Sequence, residues 1–151
     1  MDNSQIVKNE TSGKITKPPF LAAIIALIGI ADSVYLTIHH YTAEPVPCSI
    51  ITGCEQVLTS SYAEIAGIPL AIFGAVAYLT AFILALLAAF GKRPAWTLFG
   101  IQVVIMSLFT LWLLYLQGVV IEAFCQFCLI SAATTFTLLI IFIISKFIRT
   151  K

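Results

Sequence analysis

Four long apolar runs decide what this chain can fold into: Pro19–His39, Ile68–Phe90, Ala95–Gln117 and Phe124–Ser145. A helix of about 20 residues crosses the ~30 Å hydrocarbon core of a bilayer. Inside that core every backbone N–H and C=O needs a partner within the protein, so a span of this kind is a helix rather than an irregular segment. Composition agrees, with 60% hydrophobic and 10% charged residues and a mean hydropathy of +1.04, outside the range of soluble domains. The first run is too long, and around Asp32 and Ser33 too polar, for a cleaved signal peptide, and no small-residue cleavage pattern follows it. The expected fold is an all-α integral membrane protein, a four-transmembrane-helix bundle. Its parts are an N-terminal tail (1–18), spans at 19–39, 68–90, 95–117 and 124–145, a long loop at 40–67 and a C-terminal tail (146–151).

Charge orients the bundle. All eight basic residues fall at one side: Lys8, Lys14 and Lys17 before span 1, Lys92 and Arg93 between spans 2 and 3, and Lys146, Arg149 and Lys151 after span 4. The other side carries Glu44, Glu55, Glu64 and Glu122 and neither lysine nor arginine. The positive-inside rule then puts both termini in the cytoplasm and the 40–67 loop outside. No basic groove with interleaved aromatics is present, so nucleic-acid binding has no support.

The chain has four cysteines, Cys48 and Cys54 in the outer loop and Cys125 and Cys128 at the start of span 4. All are expected on the oxidising side or just inside its edge, where an even count favours disulfide chemistry. Three readings compete: two structural disulfides, a four-thiolate zinc site, or a relay of two exchanging pairs. Placement favours the relay. Positions three apart on a helix are close enough to bridge, and a helix N-terminus favours thiolate over thiol. The Cys48–Cys54 ring would enclose only Ser-Ile-Ile-Thr-Gly, which constrains the unfolded chain little and suggests a use beyond stabilisation.

Elsewhere, Asp32 is an ionisable group within a span, a candidate for proton relay or for holding the loop, with pairing to a polar neighbour or to water as the plainer role. His39 and His40 stand at the outer boundary with Tyr41, where interfacial roles are the default. Gln102 and Ser107 are expected to bridge helices.

PCSIITGCEQVLTSSYAEIAGIPLAIFGAVAY (47–78), AFCQFCLIS (123–131) and SVYLT in span 1 together resemble the vitamin K epoxide reductase family, in its bacterial and archaeal branch. The resemblance covers roughly residues 20 to 145. It implies a four-helix bundle around a quinone, in the inner or plasma membrane of a prokaryote. It also implies thiol oxidation coupled to quinone reduction, with electrons supplied by a thioredoxin-fold protein. Carried over, Cys48 and Cys54 are the shuttle pair, Cys125 the exchange cysteine, and Cys128 the residue facing the quinone. Ser60 matches the family's loop serine, a hydrogen-bond donor to the quinone or a positioning group; its plainer role is a helix cap before a Tyr62–Ile65 turn. Phe73 and Phe127 are expected to flank the quinone.

Two positions depart from the animal members. Those have a tyrosine where this chain has Ala132 and an asparagine where it has Leu70. Both would touch the substrate's oxygens, so a plain ubiquinone or menaquinone is expected here rather than an epoxide. The chain ends six residues past span 4, so the redox partner is expected to be a separate protein. The main rival is a cysteine-bearing membrane carrier for a soft metal ion. It is disfavoured by the lack of a cytoplasmic cysteine or methionine cluster; the only methionines are Met1 and Met106. No metal ligands are assigned. A quinone enzyme with both cysteine pairs in outer loops, and a structural four-span protein with incidental disulfides, are lesser rivals.

Overall fold

The computed structural model describes residues 17–150. Most of the expected N-terminal tail, with Lys8 and Lys14, and Lys151 at the other end lie outside the described residues. Four helices are long and apolar enough to cross a membrane. In chain order the elements are α1 (Lys17–Thr42), α2 (Cys54–Leu58), β1 (Glu64–Ile65), β2 (Ile68–Pro69), α3 (Leu70–Ala89), α4 (Arg93–Tyr115), a π-helical turn (Leu116–Val120) and α5 (Gln126–Thr150).

The long helices form a four-cornered bundle in which α1 and α4 each pack against both α3 and α5. Lipid offers no hydrophobic drive for helix association, so close approach depends on small residues. Ala22, Ala23 and Ala26 on α1 and Ala81, Ala85 and Ala88 on α3 supply it, all of them buried in one core with Tyr78, Phe99, Val103 and Leu138. Gly29 belongs to the same device, since a Cβ there would run into the Tyr78 ring. Polar bonds tie the corners together. The Tyr78 hydroxyl meets Ser131 O at 2.7 Å, Ser131 Oγ at 2.9 Å and Thr135 Oγ1 at 2.7 Å, joining α3 to α5. Gln102 Nε2 donates to Ala77 O at 2.7 Å, joining α4 to α3 as expected of a bridging residue. Ser107 does not bridge; its hydroxyl donates back to Val103 O at 2.8 Å within α4.

The turn between α3 and α4 shows why the basic end is tight. Gly91, at φ 92°, takes the left-handed position after α3. Gly91 N–H then donates to Ala88 O at 3.0 Å and Lys92 N–H to Leu87 O at 3.1 Å, a Schellman closure that uses otherwise orphaned carbonyls. Pro94 fits the first turn of α4, where its missing N–H costs nothing.

The opposite end holds the cysteines and is more ordered than a plain loop over 40–67. Helix α1 continues to Thr42, α2 begins at Cys54, and β1 and β2 form a small hairpin. Its two-residue turn, Ala66 at φ 53° and Gly67 at φ 79°, has the doubly positive φ that matches strand twist. His40 Nε2 reaches Glu64 Oε1 at 3.1 Å, fastening the end of α1 to the hairpin. Ser60 does not cap a following helix. It lies after α2, where its N–H and its hydroxyl both bond Val57 O, at 3.3 and 2.7 Å, closing that helix's C-terminal end.

The third span also ends differently from the expected 117. It runs into the π-helical turn, closed by Ile121 N–H to Leu116 O at 2.8 Å. The wider turn rotates Gln117 inward, where it is only 4% exposed.

Candidate active site

The first turn of α5 is built on cysteine. Cys125 sits at the cap position, outside the helix proper, with its carbonyl accepting the first helical bond from Leu129 N–H at 3.0 Å. Its sulfur stands where a serine or aspartate oxygen usually caps a helix, and the backbone N–H groups of Phe127 and Cys128 point to it, as does the Cys128 thiol. Hydrogen bonds of this kind, at the positive end of a helix, stabilise a thiolate. The Cys125 N–H is held by Gln117 Oε1 at 3.1 Å. Cys125 and Cys128 are both free thiols.

Cys48 and Cys54 form a disulfide with their Cα atoms 6.3 Å apart. The loop that carries them is pinned onto the α4–α5 connection. Ile50 N–H donates to Gln126 Oε1 at 3.2 Å, and Gln56 Nε2 to Ile121 O at 3.5 Å. Gly53 permits the closest approach, because a Cβ at that position would lie 2.8 Å from Phe124 O. As a result Cys54 (1% exposed) and Cys125 (0% exposed) are buried in one apolar cluster with Val57 and Ala123, and Cys48 and Cys128 pack against it. The fold therefore brings together all four cysteines.

Beside the cluster lies a cavity of about 380 Å³ between the four long helices and the hairpin. Cys128 lines it, as do Ser60, Leu70, Phe73 and Ala132. Phe127 does not. Its ring turns the other way, against Tyr35 at a centroid distance of 5.1 Å, because on a helix it faces away from its neighbour Cys128. Three further residues belong to this site. Gln117 and Tyr78 line the cavity and carry the bonds described above, and Asp32 projects into it from α1. The plainer role expected of Asp32, pairing with a polar neighbour, is not met: no protein group among the described residues bonds its buried Oδ2. A sequence signal did exist for Tyr78 and Gln117: each is a lone polar-tipped side chain amid apolar residues of a span. Their partners carry no such signal. Among the described residues, no group of three or more His, Cys, Asp and Glu is placed to hold a metal ion.

Two cysteine pairs gathered at one end of a four-helix membrane bundle, next to an intramembrane cavity, define a membrane thiol oxidoreductase. The vitamin K epoxide reductase family pattern matches residues 20–143, most of the chain, and the protein belongs to that family.

Proposed function

We propose that this protein oxidises the dithiol of a separate thioredoxin-fold protein and passes the electrons, through its two cysteine pairs, to a quinone of the ubiquinone or menaquinone type. One observation carries the reading: Cys128 both packs against the cluster holding Cys54 and Cys125 and lines the cavity. It is the one cysteine that touches both compartments.

The cavity suits a quinone head. Its size falls in the range of small-molecule sites, its walls are mainly apolar, and a buried carboxyl oxygen lacks a partner, as a ring with polar oxygens would require. Leu70, Phe73 and Ala132 would hold the ring. When bound, a quinone supplies an acceptor for two electrons and two protons.

The chain's own steps follow from thiolate exchange. A partner thiolate attacks the Cys48–Cys54 disulfide and leaves as the partner's disulfide, so Cys48 and Cys54 become thiols. Oxidised Cys125–Cys128 is then attacked at Cys125 by the Cys54 thiolate. Cys54 is preferred to Cys48 because it is the loop cysteine buried in the same cluster as Cys125. The mixed Cys54–Cys125 disulfide resolves when Cys48 attacks Cys54. This regenerates the loop disulfide and leaves Cys125 and Cys128 reduced, with Cys128 at the cavity. Burial of the exchanging sulfurs keeps water and other thiols from intercepting the intermediate. Quinones accept electrons at higher potential than most protein dithiols, so net flow is toward making disulfides. The charge pattern supports an orientation with cytoplasmic termini and the cysteines outside.

The test uses the full chain in detergent with a reduced thioredoxin-fold protein and ubiquinone-1. The wild type is expected to bleach the quinone absorbance, whereas Cys128→Ser should not; Cys48→Ser, which lacks the resolving thiol, should accumulate a Cys54–Cys125 disulfide identifiable by peptide mass spectrometry. Full turnover by Cys128→Ser would end the proposal.

A further inference from the structure

We infer that Asp32 is a catalytic residue, the group that binds a quinone oxygen and hands it a proton. The inference rests on the quinone reading of the cavity and deepens it.

The assignment comes from comparing Asp32 with the other polar groups that face the cavity, which also include Ser33, Tyr62 and Thr110. Tyr78's hydroxyl is taken up by Ser131 and Thr135. Ser60 has spent its proton on Val57 O. Gln117 Oε1 holds the Cys125 N–H, and His40 Nε2 faces Glu64. Leu70 and Ala132 offer no polar atom. Asp32 is different: its Oδ2 is the one buried side-chain nitrogen or oxygen without a partner among the described residues. A carboxyl left in this condition inside a membrane span is costly, which sets it apart from a packing residue. Asp32 also stands within electrostatic reach of Tyr78, Cys125 and Cys128. The other titratable groups facing the cavity are His40 from α1, Tyr62 before the hairpin, Tyr78 from α3 and Cys128 from α5, and among the described residues no lysine or arginine lines it. No fixed cation therefore holds Asp32 ionised, and it is free to gain and lose a proton.

The proton count is consistent. Forming the Cys125–Cys128 disulfide releases two electrons and two protons from the two thiols, and a quinone going to quinol takes up two of each. Asp32, protonated when it holds the nearer quinone oxygen, gives that proton up to it and is reprotonated by the Cys128 thiol, ending as it began. The second thiol proton leaves to water, and one from water replaces it.

Two measurements on the full chain in detergent test this. Ubiquinone-1 binding is read by calorimetric titration on fully oxidised protein, where no turnover occurs, and steady-state reduction is read with dithiothreitol as donor. Asp32→Ala is expected to weaken binding at least tenfold. Asp32→Asn, which keeps a hydrogen-bond donor but cannot relay a proton, is expected to bind within threefold of wild type while kcat falls at least tenfold at similar KM. Asp32→Glu should recover part of that kcat. Binding by Asp32→Ala within twofold of wild type, or a kcat for Asp32→Asn within twofold, would overturn the assignment while leaving the quinone reading intact. A wild type that neither binds nor reduces ubiquinone-1 would overturn both.

Discussion

Gln117 and Cys125 are eight residues apart, on opposite sides of the α4–α5 connection, and the Gln117 side-chain carbonyl receives the Cys125 N–H at 3.1 Å. The bond does for Cys125 what a local cap does for an ordinary helix. It fixes the residue that starts α5, and with it the direction of the exchange sulfur. The π-helical turn exists in this reading to present Gln117, since an α-helical continuation would carry that side chain to another face.

Replacing Gln117 with Leu therefore buries an N–H without a partner, at a cost of about 1–3 kcal/mol. The expected result is a lower unfolding temperature in detergent and a reduced yield of the Cys54–Cys125 disulfide on diamide oxidation of a Cys48→Ser, Cys128→Ser background. Gln117→Glu keeps an acceptor at the same reach and should retain most of that yield. Equal yields for Gln117→Leu and wild type would show that the bond does not position Cys125.

Gly53 makes a second, steric prediction. With a Cβ, residue 53 would stand 2.8 Å from Phe124 O and 3.1 Å from Ala123 Cβ, so Gly53→Ala must push the loop off the α5 entrance. Overpacking of this kind costs about 1–3 kcal/mol. Because the strain is felt only when the loop is docked, it appears as slower exchange, roughly 5- to 150-fold at that cost. Stopped-flow oxidation of Cys125 and Cys128 against a pre-reduced loop pair would read it, while the melting temperature of the bundle should move little.

The sequence was more informative about the bundle than about the site. Span number follows from a constraint on every backbone polar group in hydrocarbon, so four apolar runs become four helices with little freedom. The cysteine spacings likewise carried their chemistry openly. What stayed hidden were contacts between residues distant in sequence. A local miss is Ser60, open to a role at the quinone or as a cap before a turn: it bonds Val57 O three residues back and closes α2, whose five residues carry no periodic signature. The family resemblance implies a place for Phe127 beside the quinone, but helical geometry turns it to Tyr35. Asp32 was visible as an anomaly, and only the structure shows that no neighbour satisfies it.

Ser60 gives a prediction that separates support from catalysis. Its hydroxyl donates to Val57 O at 2.7 Å, so Ser60→Ala should cost about 0.5–1.5 kcal/mol by loosening the end of α2, which carries Cys54. It should leave ubiquinone-1 affinity within about twofold, a factor equivalent to under ~0.5 kcal/mol. A tenfold loss of affinity with unchanged stability would instead make Ser60 a direct ligand of the ring.

Tyr78 is where packing and polarity meet, and Gly29 and Thr135 meet it from either side. Tyr78→Phe keeps the ring that Gly29 accommodates but removes the hydroxyl shared by Ser131 and Thr135. Those hydroxyls have neighbouring helical carbonyls to turn to, so the expected loss is about 1–2 kcal/mol rather than the larger cost of a stranded buried group. Gly29→Ala attacks the same joint sterically. Its Cβ would overlap the Tyr78 ring, so α1 and α3 must separate or the tyrosine must leave its bonds. The two substitutions share one partner, so they should not be additive. Chemical unfolding of the two single variants and the double variant measures the coupling. A double variant no less stable than Gly29→Ala alone would show that the alanine had already broken the Tyr78 network; strict additivity would show that ring position and hydroxyl bonding are independent.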